Sequence, residues 1–142
     1  MKKTFVPKQS DKITEWVHFD AGDQILGRVA SEIAKSLLGK DNPKFAYNEV
    51  MGKKVVVTNA EKVKTTANKM LTKIYYRHTG FPGGIRSETL GQKMAKDPTE
   101  VLRSAVKGML PKNKLRDQRM ANLYIYTGET HPHEAQLNGT KG

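Results

Sequence analysis

The chain has 142 residues, with 25 Lys and Arg against 14 Asp and Glu, a formal net charge of +11 and a pI near 9.9. That length suits one domain with its own core, and the lack of cysteine excludes a disulfide framework or a thiolate metal site. No stretch approaches the roughly 20 apolar residues of a membrane span, and the first residues, MKKTFVPKQSDKITEW, have no apolar signal core, so a cytoplasmic protein with no membrane partner is expected.

In chain order, residues 1–14 are polar and basic and read as a loose N-terminal extension. A single domain is expected over 15–128. Trp16-Val17-His18-Phe19-Asp20 is rich in strand formers, and Ala21-Gly22-Asp23 turns the chain, with Asp23 as candidate helix cap. From Gln24 the period becomes helical: Ile25, Leu26, Val29, Ala30, Ile33, Ala34, Leu37 and Leu38 form one stripe, stopped by Gly39. The β-branched run Val55-Val56-Val57 predicts a strand covered on both faces. Lys62–Thr66 and Leu71–Arg77 read as two further strands, and Ser87–Lys96 as a helix capped by Ser87. Asp97-Pro98 breaks that helix and starts another. There Val101, Leu102, Ala105, Val106, Met109 and Leu110 repeat the apolar stripe up to Pro111. A short helix near Leu115–Asn122, a last strand at Leu123–Tyr126 and a polar, loose tail over 129–142 complete the chain. This order implies an α/β fold with a small, mostly parallel sheet.

Catalytic and cofactor chemistry finds little support. The loop at residues 20–28 lacks both the GxGxxG and the GxxxxGK patterns, and Asp23 puts negative charge where a phosphate would sit. His131-Pro132-His133, flanked by Glu129 and Glu134, could bring metal ligands together, but an HxH in a polar tail reads as exposed. Ser31 and Ser36 have no nucleophile-elbow setting. No cofactor, no metal and no enzymatic activity are expected.

The charge is the informative signal. Residues 62–87 contain no acid but hold Lys62, Lys64, Lys69, Lys73, Arg77 and Arg86, and residues 101–116 contain no acid but hold Arg103, Lys107, Lys112, Lys114 and Arg116. The remaining 14 basic residues equal all 14 acids, so these two windows carry the entire excess. Such segregation favours a face that meets a polyanion. Within the first window, YYRHTGFPGGIR (residues 75–86) joins aromatics, arginines and glycines. Aromatic and guanidinium planes stack on unpaired bases, and glycines admit close backbone approach. Tyr75 and Tyr76 point to opposite faces of a strand, so one of them is expected in the core. Phe81 is either a loop anchor or a stacking group.

Several blocks together resemble the bacterial large-subunit ribosomal protein L13 family. They are Val106-Lys107-Gly108-Met109-Leu110-Pro111-Lys112, then Tyr124 to His133 ending in His-Pro-His, with Trp16 and Asp20, Leu26-Gly27-Arg28, Val57-Thr58-Asn59-Ala60, Tyr75 to Gly80, and Gly83-Gly84. The similarity covers roughly residues 14–136. Glu49-Val50-Met51-Gly52-Lys53 departs from that family's acidic run, and Gln24-Ile25 from its usual Lys-Thr. The resemblance implies a three-layer α/β/α fold with a four-stranded parallel sheet. It also implies a non-enzymatic, structural role in the cytoplasmic ribosome, with binding to large-subunit ribosomal RNA, neighbouring ribosomal proteins as partners and an early part in assembly. The family's RNA-contacting blocks fall on Arg77, His78, Thr79, Gly80, Gly83 and Gly84, and on Lys107, Lys112 and Lys114. Lys69, Lys73, Arg86 and Arg116 join these candidates from the basic windows.

Overall fold

Val55, Val56 and Val57 are fully buried at the centre of the structure, a computed structural model that describes residues 3–12 and 15–140. Parts of the N-terminal extension and of the tail (Met1, Lys2, Ile13, Thr14, Lys141 and Gly142) lie outside the described residues. The three valines belong to β2 (Lys54–Thr58), which runs parallel to β1 (Trp16–Asp20) on one side and to β5 (Leu123–Ile125) on the other. A β-branched run suits a central parallel strand because both of its faces are covered.

Side chains alternate across a strand, so the register sorts residues onto two faces. Phe19, Val57 and Ile125 align on one of them. They meet α1 (Leu26–Leu38) and α4 (Pro98–Met109) in the main core, where Ile33 and Leu37 of α1 and Leu102 and Val106 of α4 are sealed from solvent. Each such side chain contributes about 1.5–3 kcal/mol by burial. On the opposite face Trp16, His18 and Tyr124 meet the chain's C-terminal segment. Trp16 stacks on Tyr124 at 5.5 Å between ring centroids and on His133 at 5.2 Å, and the rings of His18 and His131 lie 5.6 Å apart.

Two glycines hold the end of α1 against the start of β2. Gly39 ends the helix at φ 80°, and a Cβ there would come within 2.5 Å of the Met51 carbonyl oxygen. A Cβ on Gly52 would come within 1.7 Å of the Leu37 carbonyl oxygen, so the two backbones pass in direct contact.

Several expectations are corrected. The parallel sheet has three strands among the described residues, not four. The expected strand at 62–66 is a 3-10 turn, Ala60–Lys62, followed by a single bridge between Ile25 and Lys64. The Lys64 carbonyl accepts the Leu26 amide at 2.9 Å, so backbone, not Asp23, satisfies the first donor of α1. Asp23 itself turns left-handed at φ 60° and pairs with Lys64 at 2.9 Å.

The segment expected as a strand from Leu71 begins as the helical turn α2 (Lys69–Thr72), and the strand β3 is Ile74–His78. Ser87 does not cap a helix. It lies in β4 (Ile85–Thr89), antiparallel to β3, and α3 (Leu90–Lys96) starts three residues later than expected. Thr89 caps it: its Oγ1 accepts the Gln92 amide at 3.3 Å, while Gln92 Oε1 accepts the Thr89 amide at 3.0 Å. This reciprocal capping box, and the pairing of β4 with β3, outweigh local helix preference. Asp97 and Pro98 open α4 as expected, with Asp97 Oδ1 accepting the Thr99 amide at 3.0 Å. After α5 (Leu115–Met120) and β5, the tail is not loose: it packs through His131 and His133 and forms α6 (Glu134–Thr140). No helix among the described residues is long and apolar enough to cross a membrane.

Candidate nucleic-acid interface

The β3–β4 hairpin stands off the core, and YYRHTGFPGGIR forms most of it. Tyr75 is the residue of the pair that packs against the core, while Tyr76 is 71% exposed. Two cations lie over the Tyr75 ring, with Lys93 Nζ at 4.5 Å and Lys73 Nζ at 5.2 Å from its centroid. Phe81 is 74% exposed at the tip, so its ring is not buried in the core.

The tip is set by its glycines. Thr79 N–H donates to the Gly84 carbonyl and Gly84 N–H to the Phe81 carbonyl, both at 2.9 Å. Gly83 has φ 70° after Pro82, the geometry of a type II turn, which needs glycine at its third position. A Cβ on Gly84 would meet Thr79 Oγ1 at 2.0 Å, so that position also tolerates only glycine without a shift. Gly80 (φ 89°) donates its N–H to His78 Nδ1 at 2.9 Å.

Arg77 and Arg86 are directly opposed in the ladder, and both are exposed. Like charges placed opposite each other destabilise a hairpin unless an anion joins them. Among the described residues no carboxylate lies within ion-pair distance of either. The ion pairs instead use Lys12, Lys44, Lys53, Lys64 and Lys96. Only Lys64 comes from the two acid-free windows, so almost all of the excess charge stays available.

The other candidates fall into two groups. Lys69 in α2 and Lys73 before β3 line a cleft together with Gly108 and Met109 at the end of α4, which brings the two basic windows into contact. Met109 was expected in the core stripe but is 44% exposed on this cleft. Lys107, Lys112 and Lys114 are exposed along the end of α4 and the loop after it. Arg116 is half-buried, with its Nε enclosed.

Sequence reasoning missed Arg119, which is 1% exposed and donates from Nη2 to the Glu49 carbonyl at 3.4 Å. Burial lowers its pKa below the ordinary arginine value. Its setting is structural, inside the fold. The half-buried His-Pro-His segment is also structural, with Tyr126 Oη and His133 Nε2 hydrogen-bonded at 2.7 Å. Asp20, at the end of β1, accepts from Asn59 Nδ2 and Gly22 N–H, both at 2.9 Å, and these bonds hold its carboxyl below the usual value.

Fold and surface together define a small basic α/β protein whose unpaired cations collect on a hairpin and an adjoining helix end. The sequence matches the family described as Ribosomal protein L13 over residues 14–132. It is 48% identical to the large ribosomal subunit protein uL13 of Geobacter sulfurreducens over 136 residues, 96% of this chain and 95% of that one. It is 48% identical to the same-named protein of Syntrophus aciditrophicus, covering 94% of each. It is 49% identical to that of Dehalococcoides mccartyi, covering 94% of this chain and 93% of the relative. The chain therefore belongs to the ribosomal protein L13 family, whose members are structural, non-enzymatic ribosomal proteins.

Proposed function

We propose that this protein is a structural constituent of the large ribosomal subunit, binding ribosomal RNA through the β3–β4 hairpin and the cations beside it and joining early in assembly. The observation that carries this reading is the exposed Arg77–Arg86 pair, opposed across a protruding hairpin with no ion-paired counter-charge among the described residues, Glu88 being near Arg77 but paired with Lys96. Phosphates supply that counter-charge, and release of their bound cations drives association. The relatives' names support the subunit assignment. Lys69, Lys73, Lys107, Lys112, Lys114 and Arg116 extend the phosphate-binding surface. His78, Thr79, Gly80, Gly83 and Gly84 shape the tip that approaches the RNA backbone. Neighbouring ribosomal proteins are the other partners, within the cytoplasmic ribosome. We also read the helices on one sheet face and α6 on the other as a three-layer α/β/α arrangement.

The test is sedimentation of the native protein from cell extract. It should travel with large subunits in low salt and leave them in high salt. Recovery only in the light, ribosome-free fractions would reject the reading. Depletion should stall large subunits as lighter precursors if the protein acts early, and should leave mature particles lacking only this protein if it joins late.

A further inference from the structure

A cleft of about 320 Å³ opens between the N-terminal end of α1, α2 and the C-terminal end of α4. We propose that it holds one unpaired RNA nucleotide, with the base against its apolar floor and the adjoining phosphates on Lys69 and Lys73. This rests on the RNA-binding reading above and adds a specific pocket to it.

The floor is built from Leu26 and Leu90, both buried, and from Met109, whose flexible thioether suits a planar ring. The hydroxyl-bearing residues Thr65, Thr66 and Ser104 line the wall and offer partners to a base edge or a 2′-OH. No acid lines the cleft; Glu100 touches it only indirectly, accepting from Ser104 Oγ at a long 3.3 Å. An apolar floor with a few polar groups at this volume, near the lower end of about 300–1,000 Å³, is the usual form of a small-ligand site.

Two glycines shape the cleft. Gly27 and Gly108 lie within α1 and α4 and line the cleft. A Cβ on either would meet nothing within 4 Å, and neither has a positive φ. Glycine inside a helix costs about 0.5–1 kcal/mol relative to alanine, and the backbone here does not require it. What their missing side chains do is keep the cleft open. The cleft also adjoins the hairpin, because the Lys73 carbonyl accepts the Leu90 amide at 2.9 Å just before β3 begins.

The test compares two short RNA hairpins, identical except that one carries a single bulged 2-aminopurine. The full-length protein should bind the bulged RNA about tenfold more tightly, roughly what one or two well-formed hydrogen bonds to the base add, and the 2-aminopurine emission should change on binding. Gly108→Leu, which fills the cleft, should remove both the preference and the emission change while leaving affinity for the paired RNA and thermal melting intact. Gly27→Leu fills the cleft from α1 and guards against a folding defect in the first variant. Arg77→Ala with Arg86→Ala should weaken both RNAs alike and keep the preference. Equal affinity of the unaltered protein for the two RNAs, or a preference that survives both fillings, would overturn the nucleotide pocket and leave the RNA-binding reading standing. Failure to bind either RNA would overturn both.

Discussion

Single residues divide into those the fold requires and those it leaves free, and glycine shows the difference best. Gly52→Ala drives a methyl group into the Leu37 backbone and should lower stability by several kcal/mol, since both chains are part of the core. Gly27→Ala meets open space and should raise stability by about 0.4–1 kcal/mol through a stiffer unfolded chain. Urea denaturation of the pair reads both signs, and a loss at Gly27 would contradict its placement. Buried Arg119 leads to a third expectation. Its Nε and Nη1 have no partner among the described protein atoms, so Arg119→Met should leave the melting temperature unchanged or raise it, as replacing buried charge with fitted apolar volume often does. A large drop would show that the guanidinium has a partner that matters.

Elements bring their own balance of local and distant forces. Asp97 caps α4 through the Thr99 hydroxyl and amide, and those bonds hold its carboxyl below the ordinary aspartate range. A depressed carboxylate pKa contributes stability that is present above the unfolded value and is lost as pH falls through the folded one. Melting should therefore be flat above about pH 5 and fall below about pH 4. Asp97→Asn should keep most of the cap at neutral pH and flatten part of that acid limb, whereas Asp97→Ala should cost about 1 kcal/mol at pH 7. An acid limb of unchanged size in Asp97→Asn would remove this residue from the explanation. α1 and α4 were legible in the sequence because each carries an unbroken apolar stripe that meets one core. β4 was not legible, because neither face of its outer part is buried and so no alternation marks it. The packing of His131 and His133 was equally hidden, since their ring partners His18 and Trp16 come from the far end of the chain. Of the candidate site, the chemistry of YYRHTGFPGGIR could be read locally, but the convergence of Lys69 and Lys73 with Gly108 required the fold.

For the whole molecule, the excess charge is not spread evenly. Acids are spent on lysines outside the two basic windows, Lys64 excepted, which leaves the hairpin and the end of α4 positive. If about six phosphates are neutralised, log affinity should fall with log salt at a slope near −5. The claim that the hairpin docks RNA, and is not merely a prop for the core, is tested most directly by one doubly substituted protein. Arg77→Ala with Arg86→Ala should be measured for both RNA affinity and thermal melting. Exposed changes of this kind alter stability by less than about 0.5 kcal/mol, while well-formed charge-assisted contacts are worth about 1.5–3 kcal/mol each. RNA affinity should therefore fall at least tenfold with melting almost unchanged; a protein that melts much earlier yet binds RNA normally when folded would contradict docking by the hairpin.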